Sequence, residues 1–404
     1  MGSTGAEGLF RFPAVVFSLL TLGLAVDLGR REHGPGGAAY NCFVFGLSYM
    51  LIHYGTEARG YSQLTFHGLL GYALLRQSLR APPSSWRNAA FALNAVLGLL
   101  SQPVFAAFLL AAGLWSACLV LAASADRRLR LARDAAERLA PPLLVCALPG
   151  WLGLPLQSRG SGPEAEWWPA VEKLLQYGFG APVGHAGAVL AVCALGVLVL
   201  LGRRRTNLDA RFALLVLLAL TPIAAVALSP DTPKYERYML PALPFLYLLA
   251  LDGTVLLAGR WPALRPLLAL VLAGYALGQL ANVQHFLADG RGQYRAALAD
   301  IARLDARAIV DVGVDHRFRS GTVIDFHAPR LTPPRQFRPV RSRDLADQRP
   351  PWLLLHDVDD RRETASAQVH FGATTWNHLR TYRKFGPSGW HWLLYRRADL
   401  PPLP

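Results

Sequence analysis

Ten apolar runs, most of them near the length of a bilayer core, fill the first 286 residues and are separated by short connections rich in charge, Gly or Pro. They are Leu9 to Leu28, Gly37 to Tyr54, Tyr61 to Leu75, Asn88 to Ser101, Val104 to Ala123, Leu139 to Leu156, His185 to Leu201, Phe212 to Leu228, Tyr238 to Leu257 and Leu264 to Phe286. Hydrocarbon offers backbone N–H and C=O groups no partner, so segments of this kind close their hydrogen bonds internally as helices. A mean hydropathy of +0.26 over 404 residues agrees. The sixth run holds Pro141, Pro142, Pro149 and Pro155, which predict a kink or break.

The formal charge of +14 raises the question of a nucleic-acid partner, and the placement of the charges answers it. Alternate connections carry Arg30 and Arg31; Arg76, Arg80 and Arg87; Arg127, Arg128, Arg130, Arg133 and Arg138; Arg203, Arg204, Arg205 and Arg211; and Arg260 and Arg265. The remaining connections and the amino-terminal tail hold only Arg11, Arg59, Arg159, Lys173, Lys234 and Arg237. By the positive-inside rule the first set faces the cytoplasm of a multi-pass inner-membrane protein, and no nucleic acid is expected. The amino end and residues 287–404 then face the exterior. An external start after so short a tail implies either N-out insertion or an upstream helix and loop. The predominance of Arg over Lys reads as the base composition of a GC-rich bacterial genome. Cys42, Cys118, Cys146 and Cys193 sit in apolar runs without paired spacing, so neither a disulfide framework nor a zinc site is expected.

Residues 1–286 therefore read as a polytopic helical membrane domain and residues 287–404 as a small extracytoplasmic α/β domain. In the latter, Gly292 to Leu304 has helical spacing, while Ala308 to Val312, Thr322 to Phe326, Trp352 to Leu355 and Trp390 to Tyr395 read as strands. Pro329 to Pro339 reads as turn.

Two external connections concentrate chemistry. His53-Tyr54-Gly55-Thr56-Glu57-Ala58-Arg59-Gly60-Tyr61 joins the second and third runs, and Ser229 to Tyr238, with Asp231, Lys234, Glu236 and Arg237, joins the eighth and ninth. Interfacial anchoring, a local ion pair and a solvated hairpin are the plain alternatives. The functional reading gives Glu57 a metal or a nucleophile to hold, and gives Arg59 and Arg237 phosphate oxygens at headgroup level, which a guanidinium fork suits. No Walker loop, GxGxxG, HExxH or GxSxG is present.

Glu57-Ala58-Arg59-Gly60-Tyr61 after an apolar run, Arg11-Phe12-Pro13-Ala14 opening another and Arg237-Tyr238-Met239-Leu240-Pro241 late in the membrane region resemble the GT-C glycosyltransferases. More narrowly, they resemble bacterial protein mannosyltransferases and aminoarabinose transferases, over roughly residues 8 to 125 and 229 to 258. The resemblance implies transfer of a hexosyl or pentosyl group from a polyprenyl-phosphate donor to a glycan, lipid or protein acceptor at the external face, amid membrane lipids. It makes Glu57, Arg59 and Arg237 catalytic candidates, and Arg11, His53, Tyr54, Tyr61, Asp231, Lys234 and Tyr238 substrate-binding ones. A divalent metal near Glu57 is also implied. The family's early external loop carries an Asp-Glu pair that this chain lacks, so either the start is misassigned, or the gene is truncated, or the protein lacks transferase activity.

Three other readings complete the survey. His356-Asp357-Val358-Asp359-Asp360 resembles the metal motif of soluble GT-A transferases. The loop Gln157 to Tyr177 reads as a short amphipathic helix on the external surface, and Arg127 to Arg138 as a cytoplasmic helix facing anionic lipid. The rival classes are a transporter or flippase, which predicts internal repeats and mid-membrane charge, and a noncatalytic partner in envelope-glycan assembly.

Overall fold

The computed structural model describes residues 5–80, 84–151, 167–180, 209–228, 235–357 and 365–402. The chain divides into two compact units, Met1–Asn282 and Val283–Pro404. The seventh run and the segment holding Asp231 and Lys234 lie outside the described residues, as do Val358 to Asp360 of the Asp-x-Asp segment.

The first unit is helical. Helix α1 (Gly5–Leu47) is two helices joined at Gly34, whose φ of 68° is left-handed. The arms run back along each other: Asn41 Nδ2 donates to the Ala25 carbonyl at 2.7 Å, and a Cβ on Gly29 would lie 2.4 Å from the Gly37 oxygen. Only Gly permits that approach. The first two runs thus form one hairpin. Ser48 interrupts the second, and its Oγ accepts the Leu51 N–H at 3.4 Å to start α2 (Tyr49–Gly55). Then follow α3 (Tyr61–Arg80), α4 (Ser85–Ser101), α5 (Ala106–Ala122), α6 (Ala125–Trp151), α7 (Trp167–Phe179), α8 (Asp209–Leu228), α9 (Glu236–Met239), α10 (Leu243–Arg260) and α11 (Arg265–Asp289).

Five helical stretches among the described residues are long and apolar enough to cross a membrane. No break falls in the sixth run as far as Trp151, and its Pro155 lies outside the described residues. Helix α6 runs through Pro141, Pro142 and Pro149 and joins the Arg-rich segment to the sixth run in one element, with Arg138 and Asp134 buried against Asn88 of α4. The short amphipathic helix expected before Tyr177 is α7.

Charges from four helices meet at one end of this unit. Glu32 pairs with Arg76, with Arg80 at 3.4 Å and with Arg211 at 2.8 Å. Asp252 accepts Arg211 Nη2 on both oxygens at 2.7 Å and lies 2.6 Å from His33 Nε2. The Arg211 Nε donates to the Tyr72 hydroxyl at 3.3 Å. Glu32, Arg76 and Asp252 expose a tenth or less of their side chains, so this is a buried network rather than a surface pair. It ties α1, α3, α8 and α10 together.

The second unit is a six-stranded sheet of order β2-β1-β3-β6-β5-β4, made of β1 (Ile309–Val314), β2 (Gln336–Arg341), β3 (Trp352–Asp357), β4 (Gln368–Phe371), β5 (Thr374–Tyr382) and β6 (His391–Arg397). Strand β1 is parallel to β2 and β3; β6, β5 and β4 continue the sheet antiparallel. Helices α12 (Tyr294–Leu304) and α13 (Arg317–His327) cover one face through Leu298, Ile301 and Ile324, and α14 (Leu345–Gln348) covers the other through Leu345. Thr322 to Phe326, expected as a strand, lies inside α13. Its β-branched residues read as extended, but Ser320, Gly321 and Ile324 bury at a helical period. Strand β2 occupies the end of the expected turn from Pro329 to Pro339 and continues beyond it.

Candidate active site

At the ends of α2 and α3 far from the charge network, a tight turn gathers the first candidate segment. The Thr56 N–H returns to the Ile52 and His53 carbonyls, its Oγ1 donates to the His53 carbonyl at 3.0 Å, and the Arg59 N–H donates to the Glu57 carbonyl at 2.7 Å. Gly60 then passes so close to Ser101 that a Cβ would stand 2.2 Å from its carbonyl oxygen, which fixes where α3 begins. Glu57 and Tyr61 are buried by this turn while Arg59 stays half exposed, its Nη1 3.6 Å from Glu57 Oε1.

Aromatic rings floor the site. The Tyr54 and Tyr61 centroids are 4.9 Å apart, and His53 lies edge-on to Tyr54 at 5.1 Å. His53 is itself fixed by Tyr49, whose hydroxyl lies 3.2 Å from Nδ1.

Arg237, on the short helix α9, comes to the same place. Its guanidinium carbon lies 4.4 Å from the Tyr235 ring centre and 5.2 Å from that of Tyr238, and it interacts electrostatically with Tyr54 and Tyr61. The fold therefore brings together Glu57, Arg59, Arg237, His53, Tyr54, Tyr61 and Tyr238 of the sequence candidates. Arg11 is exposed on the first arm of α1, and no hydrogen bond, ion pair or ring contact ties it to the group.

Three polar atoms in this group are buried and lack a hydrogen-bond partner: Tyr54 Oη, Glu57 Oε2 and Arg237 Nε. A lone unmet group of this kind costs about 1–3 kcal/mol, so three in one group call for a partner. Beside them opens a cavity of about 220 Å³, walled by Val15, Leu19, Leu22, Phe45 and Ile52 and sharing Tyr54 and Thr56 with the site. Its surface is almost wholly apolar. Among the described residues, no group of three His, Cys, Asp or Glu side chains is placed to share a metal ion.

Gln279 is a supporting residue that the sequence reading missed. Fully buried on α11, it accepts the Tyr49 N–H on Oε1 at 2.6 Å and donates Nε2 to the Tyr177 and Gly178 carbonyls at 3.3 and 2.9 Å. One amide thus holds the start of α2 to the end of α7. Tyr247 reinforces the joint, donating to the Gly178 carbonyl at 2.6 Å beside Ser48 Oγ at 2.8 Å. An amide within an otherwise apolar run was the available signal.

The architecture is matched among solved structures. ArnT from Cupriavidus metallidurans bound to undecaprenyl phosphate aligns with 96% of this chain and 83% of its own, at a TM-score of 0.50 and 12% identity. The apo state of that ArnT aligns with 95% of this chain and 83% of its own, at 0.49 and 14%. No family model and no curated protein matches. At these identities the likeness is one of fold.

Proposed function

We propose that this chain, with apolar helices followed by a small sheet domain as in the GT-C membrane fold, transfers a sugar from a polyprenyl-phosphate carrier to an acceptor hydroxyl at the external face of the cytoplasmic membrane. The observation that carries this reading is the pairing of unmet polar atoms on Tyr54, Glu57 and Arg237 with an adjoining apolar cavity. A polar headgroup on an isoprenoid tail matches both halves, and the ArnT match is a structure bound to undecaprenyl phosphate.

In the proposed reaction the acceptor oxygen bonds to the anomeric carbon as the bond from that carbon to the phosphate oxygen breaks, with inversion. Arg237 meets the charge that develops on the departing phosphate, and half-exposed Arg59 assists from the rim. Glu57 keeps one oxygen beside Arg59 and offers the other to the acceptor hydroxyl, whose proton needs a base. A divalent ion at this site would be held by Glu57 and would supply positive charge to the departing phosphate. Asp231 and Lys234 are proposed as further substrate contacts from the segment just before α9. The exterior placement of residues 287–404 rests on the charge asymmetry of the connections.

The test is binding of undecaprenyl phosphate to the full chain in detergent, followed by native mass spectrometry, together with transfer from polyprenyl-phosphate sugars in membranes. Arg237→Ala is expected to weaken carrier binding at least tenfold, on the order of 1.4 kcal/mol, and Glu57→Gln to lower transfer about 10²-fold with binding retained. Unchanged carrier binding in Arg237→Ala, or unchanged transfer in both variants, would sink the assignment.

A further inference from the structure

The sheet unit carries a second polar cluster, unused by the site above, where two parallel strands end. Strands β1 and β3 are parallel neighbours, so their carboxyl ends lie side by side. In open α/β sheets ligands bind in the crevice outside the carboxyl ends of the strands.

Asp315 and His316 directly follow β1, and His356 and Asp357 end β3. Asp315 Oδ2 accepts both the backbone N–H of His356 at 2.9 Å and its Nδ1–H at 2.6 Å. Arg319 Nη1 lies 3.5 Å from the other nitrogen of that ring. His316 accepts the Arg319 N–H at 3.3 Å, capping α13, and stands edge-on to His356 at 5.7 Å. Trp390 stands edge-on to His356 from another side at 6.1 Å.

A clasp between β1 and β3 explains Oδ2 of Asp315 and the His356 ring. It leaves three buried atoms unexplained: Asp315 Oδ1, Ser320 Oγ and Trp390 Nε1, none with a hydrogen-bond partner. Ser320 is fully buried in the first turn of α13, on the face turned toward the sheet, so its hydroxyl lies at the crevice end of the helix.

We propose that this crevice binds a carbohydrate. The unmet set mixes an acceptor, a hydroxyl and an N–H donor beside an aromatic ring, and sugar hydroxyls both donate and accept while the ring's C–H face suits an indole. Charge decides against an oxyanion: the Asp315 oxygen left open would repel phosphate. Ligand entry requires the Trp390 ring to turn from its contact with His356, since the three atoms are closed to solvent in the free protein.

Saturation-transfer NMR on the full chain in detergent tests this, with the methyl glycosides of glucose, mannose and arabinose as probes and inorganic phosphate as the competitor. At least one glycoside is expected to bind the unaltered protein and Arg237→Ala alike, and to bind at least tenfold more weakly to Asp315→Asn and to Ser320→Ala. Should Asp315→Asn melt early, Ser320→Ala decides, because it only removes an unpaired hydroxyl. The proposal is overturned if no glycoside binds, if binding survives both substitutions, if it is lost in Arg237→Ala, or if phosphate displaces the glycoside.

Discussion

Asp252→Ala tests whether the buried charge network holds the helical unit together. The substitution removes two 2.7 Å contacts to Arg211 and one of 2.6 Å to His33, from a carboxylate only 10% exposed. Leaving a buried charge without its partner costs about 3–5 kcal/mol. Glu32, 2.8 Å from the same guanidinium, stays in place, so the expected loss sits near the lower end, about 3 kcal/mol. For a unit of this size that corresponds to a melting shift of roughly 6–12 °C. The matched control is Asp27→Ala, which removes pairs to Arg30 and Arg31 that are 69% and 55% exposed and should cost about 0–1 kcal/mol. Intrinsic Trp fluorescence during a thermal ramp in detergent, at one scan rate, reads both. Adding Arg211→Met to Asp252→Leu should recover much of the loss, because a missing pair costs less than a broken one. The reasoning fails if Asp252→Ala melts within about 2 °C of Asp27→Ala.

Gln279→Leu should lower stability by about 2–4 kcal/mol, because the Tyr49 N–H and the Tyr177 carbonyl lose this partner inside the protein while the Gly178 carbonyl keeps Tyr247, and thermal melting reads it. Gly60→Ala drives a methyl group into the Ser101 carbonyl, shifts Tyr61 and should weaken undecaprenyl phosphate binding along with the melting point. In the sheet unit the Arg307 guanidinium beside Asp305, with help from Trp352, holds the Asp305 carboxyl down at about 2. Its folded value lies below its unfolded one, so the stability it adds is complete above about pH 4 and is lost as pH falls toward 2. Screening by solvent limits that to about 1 kcal/mol. Asp305→Asn should therefore destabilise at neutral pH and flatten the acid limb of a melting-point profile.

The membrane fold class was legible because bilayer length and charge alternation are written residue by residue. The closeness of Glu57 to Tyr54 and Tyr61 was legible for the same reason, since nine residues of one turn hold them. Bringing Arg237 to that turn needs the packing of α9 on α7 and of α7 on α2, which no local pattern encodes. The Gly34 hairpin and the fusion of Arg127 to Arg138 with the sixth run were similarly hidden: a window of hydropathy sees neither the left-handed break nor the continuity. Thr322 to Phe326 misled because β-branching speaks for a strand while burial against the sheet imposes helical spacing. Gln279 stood out only as an amide in a mostly apolar run, and its role was hidden for a different reason, since its three partners are backbone groups and leave no complementary residue to notice.

Helix α3 begins at Tyr61 of the candidate site and ends at Arg80 of the charge network, a separation of about 29 Å at 1.5 Å per residue. With Arg76 and Arg80 moored to Glu32, that helix acts as a plumb line: it sets the depth at which Tyr61 and its neighbours meet the membrane surface. A thicker bilayer cannot lengthen it, and must be met by tilting the whole bundle or by local thinning of the lipid. The proposed transfer would then depend on the acyl-chain length of the surrounding membrane, through a bond network at the opposite end of the same rod.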